Sequence, residues 1–272
     1  MTGTAVADTL KNDSGWILHH VMDSKTIDFA PFGVIHIPQI PLIFGIDITP
    51  TKHVIFMWIS ALALIFTMVA VARGYKKSLV PQKFSVFFEI LIVFVRDEIA
   101  KLTIGKGYEK FVPYLLSVFF FILFGNFLGL IPYSATFTSN IAVTSALAVF
   151  TFLMTQFGGI RSNGFFRYFK GLVPHGIPTW LLPLMIMVEF LGLLTKPFAL
   201  AIRLFANMIA GHTVILALIG LIFFMKTLFV APVAIGFALF IYLLEILVAL
   251  IQAYIFTMLS SLFIGMAVHQ EH

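Results

Sequence analysis

The chain contains no cysteine and few charged residues, and each scarcity excludes whole classes of protein. The absence of cysteine excludes disulfides, thiolate metal sites, iron–sulfur clusters and cysteine nucleophiles. Charged residues make up 11% of the 272 positions and hydrophobic residues 60%, whereas ordinary soluble domains are about 25% charged and about 45–50% apolar. This balance excludes a soluble enzyme, a disordered protein and a nucleic-acid binder. It predicts an all-α polytopic membrane protein.

Five apolar runs are long enough to cross a bilayer, because a spanning helix needs about 20 such residues. The first three have ordinary lengths and are Val54–Ala72, Phe111–Ile131 and Ile141–Phe157. The last two, Ile177–Met225 and Thr227–Val268, contain 49 and 42 residues, about twice what a crossing requires. Each of these is either two helices joined by a buried turn or one long, strongly tilted helix. No polar turn lies at the middle of either run, which favours tilted helices.

The segments between these runs are more polar. The stretch from Pro81 to Lys101 is interrupted by Glu89, and we expect an interfacial helix there or a re-entrant hairpin. Gly158–Gly176 is polar and basic, and it is predicted to be a loop. The expected domains are an extramembrane N-terminal segment (1–53), a transmembrane domain (54–268) and a C-terminal tail (269–272).

The positive charges predict which ends of the helices face the cytoplasm. Eleven of the 17 Lys and Arg residues lie within 73–110 and 161–170, four lie on the opposite side, and Lys196 and Arg203 lie inside an apolar run. Because cytoplasmic loops carry the excess of Lys and Arg, the first group is expected inside. The N-terminus is then outside and the C-terminus is cytoplasmic.

Ionisable side chains in the fourth apolar run are candidates for function, because each costs about 2.5–3.5 kcal/mol at the membrane centre. Glu189, Lys196 and Arg203 follow one another at intervals of seven residues, and Asn207 comes four residues later. At about 100° per residue, these four side chains form one polar stripe along the helix. His212 follows Arg203 by nine residues and falls on the opposite face.

On the last helix, Glu245 and Gln252 are also seven residues apart and share a face. Arginine keeps its proton at any relevant pH, so Arg203 cannot relay protons. It can hold a fixed charge that displaces the proton of an approaching carboxylic acid. His212 and Glu245 can both gain and lose protons, and we expect them to conduct protons together.

A purely structural interpretation of these residues stays open. Two pairs would then be static bridges that hold helices together, Arg203–Glu189 and His212–Glu245. Lys196 would extend its ammonium group to the membrane surface. Asn207 and Gln252 would form hydrogen bonds between helices.

Three stretches of the chain match a known family. Residues 194–215 read LTKPFALAIRLFANMIAGHTVI, residues 242–264 read YLLEILVALIQAYIFTMLSSLFI, and residues 125–133 read GNFLGLIPY. They closely resemble the signature helix, the last helix and an earlier motif of subunit a of F-type ATP synthases. The resemblance covers roughly residues 45–268.

The resemblance implies a stator subunit of a membrane-embedded rotary motor, with 54–268 as its proton-channel domain. Two offset aqueous half-channels would lead from opposite sides of the membrane to a rotor ring of c subunits. Arg203 would face the carboxylates of that ring and couple proton translocation to rotation and ATP synthesis. The other residues implied to line the proton route are Glu189, Asn207, His212, Glu245, Gln252 and Asn126.

The implied partners are the c ring, the peripheral-stalk b subunits, the soluble F1 ATPase head and the lipid bilayer, without nucleic acid. The chain would not be an enzyme by itself, because it has no phosphate-binding glycine loop, and no cofactor or metal is expected. The long polar N-terminal segment favours a multi-pass protein of the bacterial plasma (inner) membrane. The competing class is a secondary transporter, although no inverted repeat is apparent.

Two positions depart from part of that family. Some bacterial members have Glu after the Ala-Gly step and His in the last helix, whereas here His212 and Glu245 occupy the reverse positions. The pair is retained with its members exchanged, as suits a relay that needs both groups close together. Gly129 stands where some members have an acidic residue, so no acidic side chain from this span is expected in the outer half-channel.

Overall fold

The computed structural model describes residues 24, 26–29, 33–37, 49–77, 83–131, 134, 136–171, 180–225 and 228–269. Within these ranges, two short antiparallel strands, β1 (Thr26–Phe29) and β2 (Gly33–His36), precede a series of helices. The longer helices are α1 (Lys52–Lys77), α2 (Lys83–Val93), α3 (Val112–Gly129), α4 (Ile141–Asn163), α5 (Phe165–Gly171), α6 (Leu182–Met225) and α7 (Ala231–Val268). A π-helix continues α2, and the short helical turns are Leu102–Ile104, Tyr108–Lys110, Phe137–Ser139 and Leu228–Val230.

Five helices, α1, α3, α4, α6 and α7, are long and apolar enough to cross a membrane. This confirms the expected all-α polytopic fold. Among the described residues, strands occur only in the β1–β2 hairpin. Most of the expected extramembrane segment 1–53 and residues 270–272 of the expected tail lie outside the described residues. The domain boundaries therefore stay predictions.

The two long apolar runs form single helices of 44 and 38 residues. Their lengths are about 66 and 57 Å at 1.5 Å per residue, against about 30 Å of hydrocarbon, and strong tilt would fit them to a bilayer. Pro183 and Pro232 stand in the first turns of α6 and α7, where the missing N–H is tolerated. Pro197 is inside α6 and removes the N–H that would bond the carbonyl of Leu193.

The expected loop over Gly158–Gly176 is wrong where the structure describes it. Helix α4 runs on to Asn163, and α5 follows it. The chain turns at Gly164, which has a left-handed φ of 81° and donates its N–H to the Ile160 carbonyl at 2.8 Å. Asn163 also donates to the Ala267 carbonyl at 3.0 Å, so a contact remote in sequence holds the end of this helix.

The expected interfacial segment is helical, as α2 and the π-helix Phe94–Lys101 show. The π-helix buries Val95 and Ile99, and the ring of Phe94 lies 5.8 Å from that of Tyr254 in α7. This helical segment therefore packs against α7. Its depth in the membrane stays a prediction.

The chain divides into two compact units. The first consists of Met1–Leu62, Phe124–Asn140 and Phe205–Ala249, and the second of Ala63–Leu123, Ile141–Leu204 and Leu250–His272. The core of the first unit contains Leu130, Met208 and Ala249, with Tyr242 and Ile246 packed against them. In α6, only 6% of an apolar 18-residue stretch is buried, compared with 50% of such a stretch in α3. The rest of the α6 surface has to be covered by lipid or by another protein.

Gly265→Ala should destabilise the second unit. A β-carbon at this position would collide with the backbone carbonyl of Thr103, and backbone cannot rotate away as a side chain can. We expect a loss of about 1–3 kcal/mol, measured as a lower unfolding temperature of the protein in detergent. Gly236→Ala, on the same helix but with open space around it, is the matched control. An unchanged unfolding temperature for Gly265→Ala would contradict this packing.

Candidate functional site

The first unit brings together two ionisable residues that were expected to act as a pair, His212 of α6 and Glu245 of α7. His212 Nδ1 lies 3.3 Å from Glu245 Oε1, and Glu245 is only 5% exposed. The carboxyl group reaches this position because Gly211 has no side chain, and a β-carbon there would overlap it. The glycine before His212 is therefore a packing requirement of the pair.

The second ring nitrogen of His212 determines how protons are held in this pair. Nε2 lies 3.1 Å from the carbonyl oxygen of Gly129 and 3.2 Å from Thr136 Oγ1. A carbonyl oxygen only accepts hydrogen bonds, so Nε2 has to carry a hydrogen to bond with it. A hydrogen bond between Nδ1 and Glu245 then needs one more proton, held either by the ring or by the acid. The geometry suits two groups that share a proton.

The structure also explains why position 129 has no acidic side chain. A β-carbon at Gly129 would overlap the side chain of Thr136, so this position has no room for a carboxyl group. The carbonyl of Gly129 instead contacts His212. The backbone of this residue, and not a side chain, contributes to the site.

Asn126 of α3 is completely buried in the same unit. Its side-chain oxygen accepts a hydrogen bond from Thr138 Oγ1 at 2.8 Å, and its amide donates to the Ala249 carbonyl at 3.4 Å. Asn126 therefore joins α3 to α7 and to the turn that contains Thr138. The same turn contains Thr136, which contacts His212.

Sequence reasoning missed the hydroxyl side chains of the turn between α3 and α4. Thr136, Thr138 and Ser139 are all buried, at 2%, 0% and 9% exposure. A run of hydroxyl residues between two apolar helices is the signal that could have indicated them, because buried hydroxyl groups need hydrogen-bond partners. The polar cluster, as we name it, consists of Asn126, Thr136, Thr138, Ser139, His212 and Glu245.

Arg203 lies on an exposed face of α6 in the second unit. The neighbouring Leu200 and Leu204 are 2% and 0% exposed, so the helix is buried on the side next to the one that carries the guanidinium. No hydrogen bond or ion pair joins Arg203 to any residue that the structure describes, and the static Arg203–Glu189 pair is therefore not formed. At this position α6 thus presents a positive charge that has no counter-ion among the described residues.

The second unit contains a cavity of about 400 Å³. Glu189 and Lys196 of α6 line it together with Gln156, Tyr168 and His269. Gln156 accepts a hydrogen bond from the Tyr168 hydroxyl at 3.0 Å, while its buried Nε2 has no partner among the described residues. A polar cavity of this size with an unpaired amide is suited to hold water.

Other groups in the cavity wall add to its polarity. Lys196 Nζ lies 5.6 Å from the centre of the Phe263 ring, a cation–π contact. Burial raises the pKa of the Tyr168 hydroxyl, and this group is a hydrogen-bond donor at neutral pH. Leu193 and Pro197 also line the cavity, next to the backbone carbonyl that Pro197 leaves without its helical donor.

Three of the expected site residues belong neither to the polar cluster nor to the cavity wall. Arg203 and Asn207 are exposed on α6, and Gln252 is 2% exposed on α7. Their parts in proton transfer stay predictions. No group of three His, Asp or Glu side chains that could hold a metal ion occurs in the described ranges.

Comparison with known proteins agrees with the motifs of α6 and α7. The sequence model described as ATP synthase A chain matches residues 54–265. ATP synthase subunit a of Chloroherpeton thalassium is 54% identical over 94% of this chain and 77% of its own length. ATP synthase subunit a of Anaeromyxobacter sp. and ATP synthase subunit a 2 of Chlorobium luteolum are 48% and 50% identical over 94% of this chain, and 71% and 76% of their own lengths. With most of its length matched in this way, the chain belongs to the ATP synthase A chain family.

Proposed function

We propose that this chain is the stator subunit of the Fo proton channel and that it provides two offset half-channels leading to a ring of c subunits. Family membership makes it a multi-pass membrane component of ATP synthase. The finer proposal depends on Arg203, a permanent positive charge on an apolar helix without a counter-ion among the described residues. A charge in such surroundings needs an acidic partner, and another subunit can supply it.

A carboxyl group of the c ring is that partner. Next to the guanidinium of Arg203 the acid is stabilised in its ionised form and loses its proton. Away from Arg203 the acid has to be neutral, because a carboxylate in hydrocarbon is far less stable than the protonated group. Each ring site therefore changes its protonation state as it passes Arg203, and this couples proton transfer to rotation. The guanidinium keeps its own proton and so blocks a direct leak between the half-channels.

The polar cluster forms the outer half-channel. Its hydrogen bonds join Asn126, the hydroxyl turn and the His212–Glu245 pair within one compact unit. Because His212 and Glu245 share one proton, the pair can accept a proton from the outside and release one towards the ring. Asn126 holds the surrounding helices in place as well as adding polarity to the route.

The cavity of the second unit forms the inner half-channel. Glu189 lies in its wall and accepts the proton that a ring carboxyl group releases. Water in the cavity then carries the proton to the cytoplasm. The buried amide of Gln156, which has no partner among the described residues, supports the presence of water there. Asn207 of α6 and Gln252 of α7 are the remaining expected site residues on these helices, and we assign them to the approach to the ring.

The distribution of Lys and Arg supports an orientation with the N-terminus outside and the C-terminus in the cytoplasm of a bacterium, in its plasma membrane. Each proton contributes about 2.3 kcal/mol per 100 mV of membrane potential, so several protons are needed for each ATP. The F1 head makes the ATP, and the b subunits hold the head and this stator together. The chain itself is not catalytic.

Arg203→Ala should abolish ATP-driven proton pumping in inverted membrane vesicles. The exposed side chain makes no hydrogen bond or ion pair with a described residue, and surface substitutions change stability by only about 0.5 kcal/mol, so the amount of chain in the membrane should stay within about twofold. Phe66→Ala, at an exposed apolar position of α1, is the control. Wild-type pumping by Arg203→Ala would refute the proposed function.

The double variant His212→Glu with Glu245→His should pump protons faster than either single variant. Each single change leaves two acids or two imidazoles in contact, while the double change restores a pair that can share a proton. The energetic coupling of contacting residues makes their effects non-additive. Pumping is measured per assembled complex. Equal losses in all three variants would argue against a shared relay.

Gly211→Ala should slow proton pumping by at least about tenfold, the lower range for loss of a positioned acid–base group. The new β-carbon would displace the flexible end of Glu245 from His212, without a collision with backbone. Assembly should therefore be normal. Gly192→Ala on the same helix, with open space around it, is the matched control, and normal pumping by Gly211→Ala would contradict the geometry of the pair.

A further inference from the structure

One buried histidine has no part in the mechanism above. His53 is the second residue of α1 and is only 2% exposed, whereas Trp58 and Leu62 on the same helix are 55% and 66% exposed. A buried imidazole needs hydrogen-bond partners. His53 Nε2 lies 3.1 Å from Ser139 Oγ, across 86 residues of sequence.

Ser139 belongs to the same turn that contacts His212. Its hydroxyl donates to the Thr136 carbonyl at 2.7 Å, so it accepts the hydrogen of His53 Nε2. Thr136 Oγ1 at the start of the turn lies 3.2 Å from His212 Nε2. The two histidines therefore contact opposite ends of one buried, hydroxyl-rich turn within the first unit. Hydroxyl groups donate and accept hydrogen bonds at the same time, which is what proton transfer along the turn requires.

His53 also stands where the chain enters the first apolar helix. The N–H of the preceding residue, Lys52, donates to the carbonyl of Ser24 at 3.0 Å. This bond fixes the start of α1 to the N-terminal segment that we place outside the membrane. His53 is thus at the end of the polar cluster that is nearer to the outer surface in the proposed orientation.

We propose that His53 is a further residue of the outer half-channel, which receives protons near the outer surface and passes them through the 136–139 turn to His212 and Glu245. The inference rests on the proposed function. The ring takes up an incoming proton and becomes an imidazolium ion, and the proton on Nε2 then passes to Ser139 Oγ, which releases its own hydroxyl hydrogen. The ring is neutral again with its hydrogen on Nδ1, and rotation of the ring restores the starting tautomer. Rotation of the Ser139 hydroxyl, or one water molecule, connects Ser139 to Thr136 Oγ1. Thr136 then donates to His212 Nε2, which accepts in the tautomer that holds its hydrogen on Nδ1, when the bond to the Gly129 carbonyl is not made.

The test compares His53→Gln and His53→Ala in the complete ATP synthase reconstituted into lipid vesicles. Glutamine places an amide nitrogen close to the position of Nε2 and can keep the hydrogen bond to Ser139, but it cannot take up a proton. We expect normal assembly and at least about tenfold slower ATP-driven pumping for His53→Gln, as for loss of a proton-transfer group. His53→Ala should also be slow and should regain pumping when imidazole is added.

Ser60→Ala is the matched control on α1, because Ser60 is equally buried but its hydroxyl donates to the Phe56 carbonyl of its own helix. It should pump at the wild-type rate. Wild-type pumping by His53→Gln, or no response of His53→Ala to imidazole, would show that His53 is structural and would overturn the inference. Glu245→Gln in the same assay separates failure of this inference from failure of the proposed function. If His53→Gln and Glu245→Gln both pump normally, the proposed function fails. If His53→Gln pumps normally and Glu245→Gln is slow, only the assignment of His53 fails.

Discussion

A positive charge that cannot be neutralised imposes the constraint on which the proposed mechanism depends. Arginine keeps its proton in proteins, and a charged side chain at the membrane centre costs about 2.5–3.5 kcal/mol or more. The burial of Leu200 and Leu204 fixes the orientation of this part of α6, and Arg203 is left exposed. The described part of the chain offers the guanidinium no acid. In the proposed mechanism a passing carboxylate of the rotor is therefore most stable beside Arg203, and deprotonation would occur at that one place.

Two glycines are as important as the polar groups for the position of the His212–Glu245 pair, because they leave the space that larger side chains would fill. Gly211 leaves the space that the Glu245 carboxyl group occupies, and Gly129 leaves the space for Thr136 and offers its carbonyl to His212. A histidine and a glutamate that share one proton can transfer it whether the histidine is on α6 and the glutamate on α7 or the reverse. An exchange of His and Glu between the two helices is thus chemically conservative, provided that the neighbouring position is small enough for the longer carboxyl side chain.

Apolar length is a local property, and the sequence was sufficient to predict the five long helices from it. That four polar residues share one face of α6 stays a prediction from the seven-residue spacing, and periodicity does not say what such a face contacts. The loop expected after Phe157 was wrong because its polarity is local, whereas Asn163 bonds a carbonyl 104 residues away. The hydroxyl turn and His53 were missed for the same reason, since their contacts span 76 and 86 residues.

The two candidate half-channels should differ in how strongly small displacements of their side chains affect proton transfer. In the polar cluster, direct hydrogen bonds join groups whose positions are fixed by packing, and such bonds weaken steeply with misalignment. In the cavity, about 400 Å³ of space and an unpaired amide favour water, which can reorient when the wall changes. Small displacements should therefore impair the outer route more than the inner one. The inner route should depend instead on the charge of Glu189 and on its hydration, because mobile water adjusts to geometry but does not replace an ionisable group.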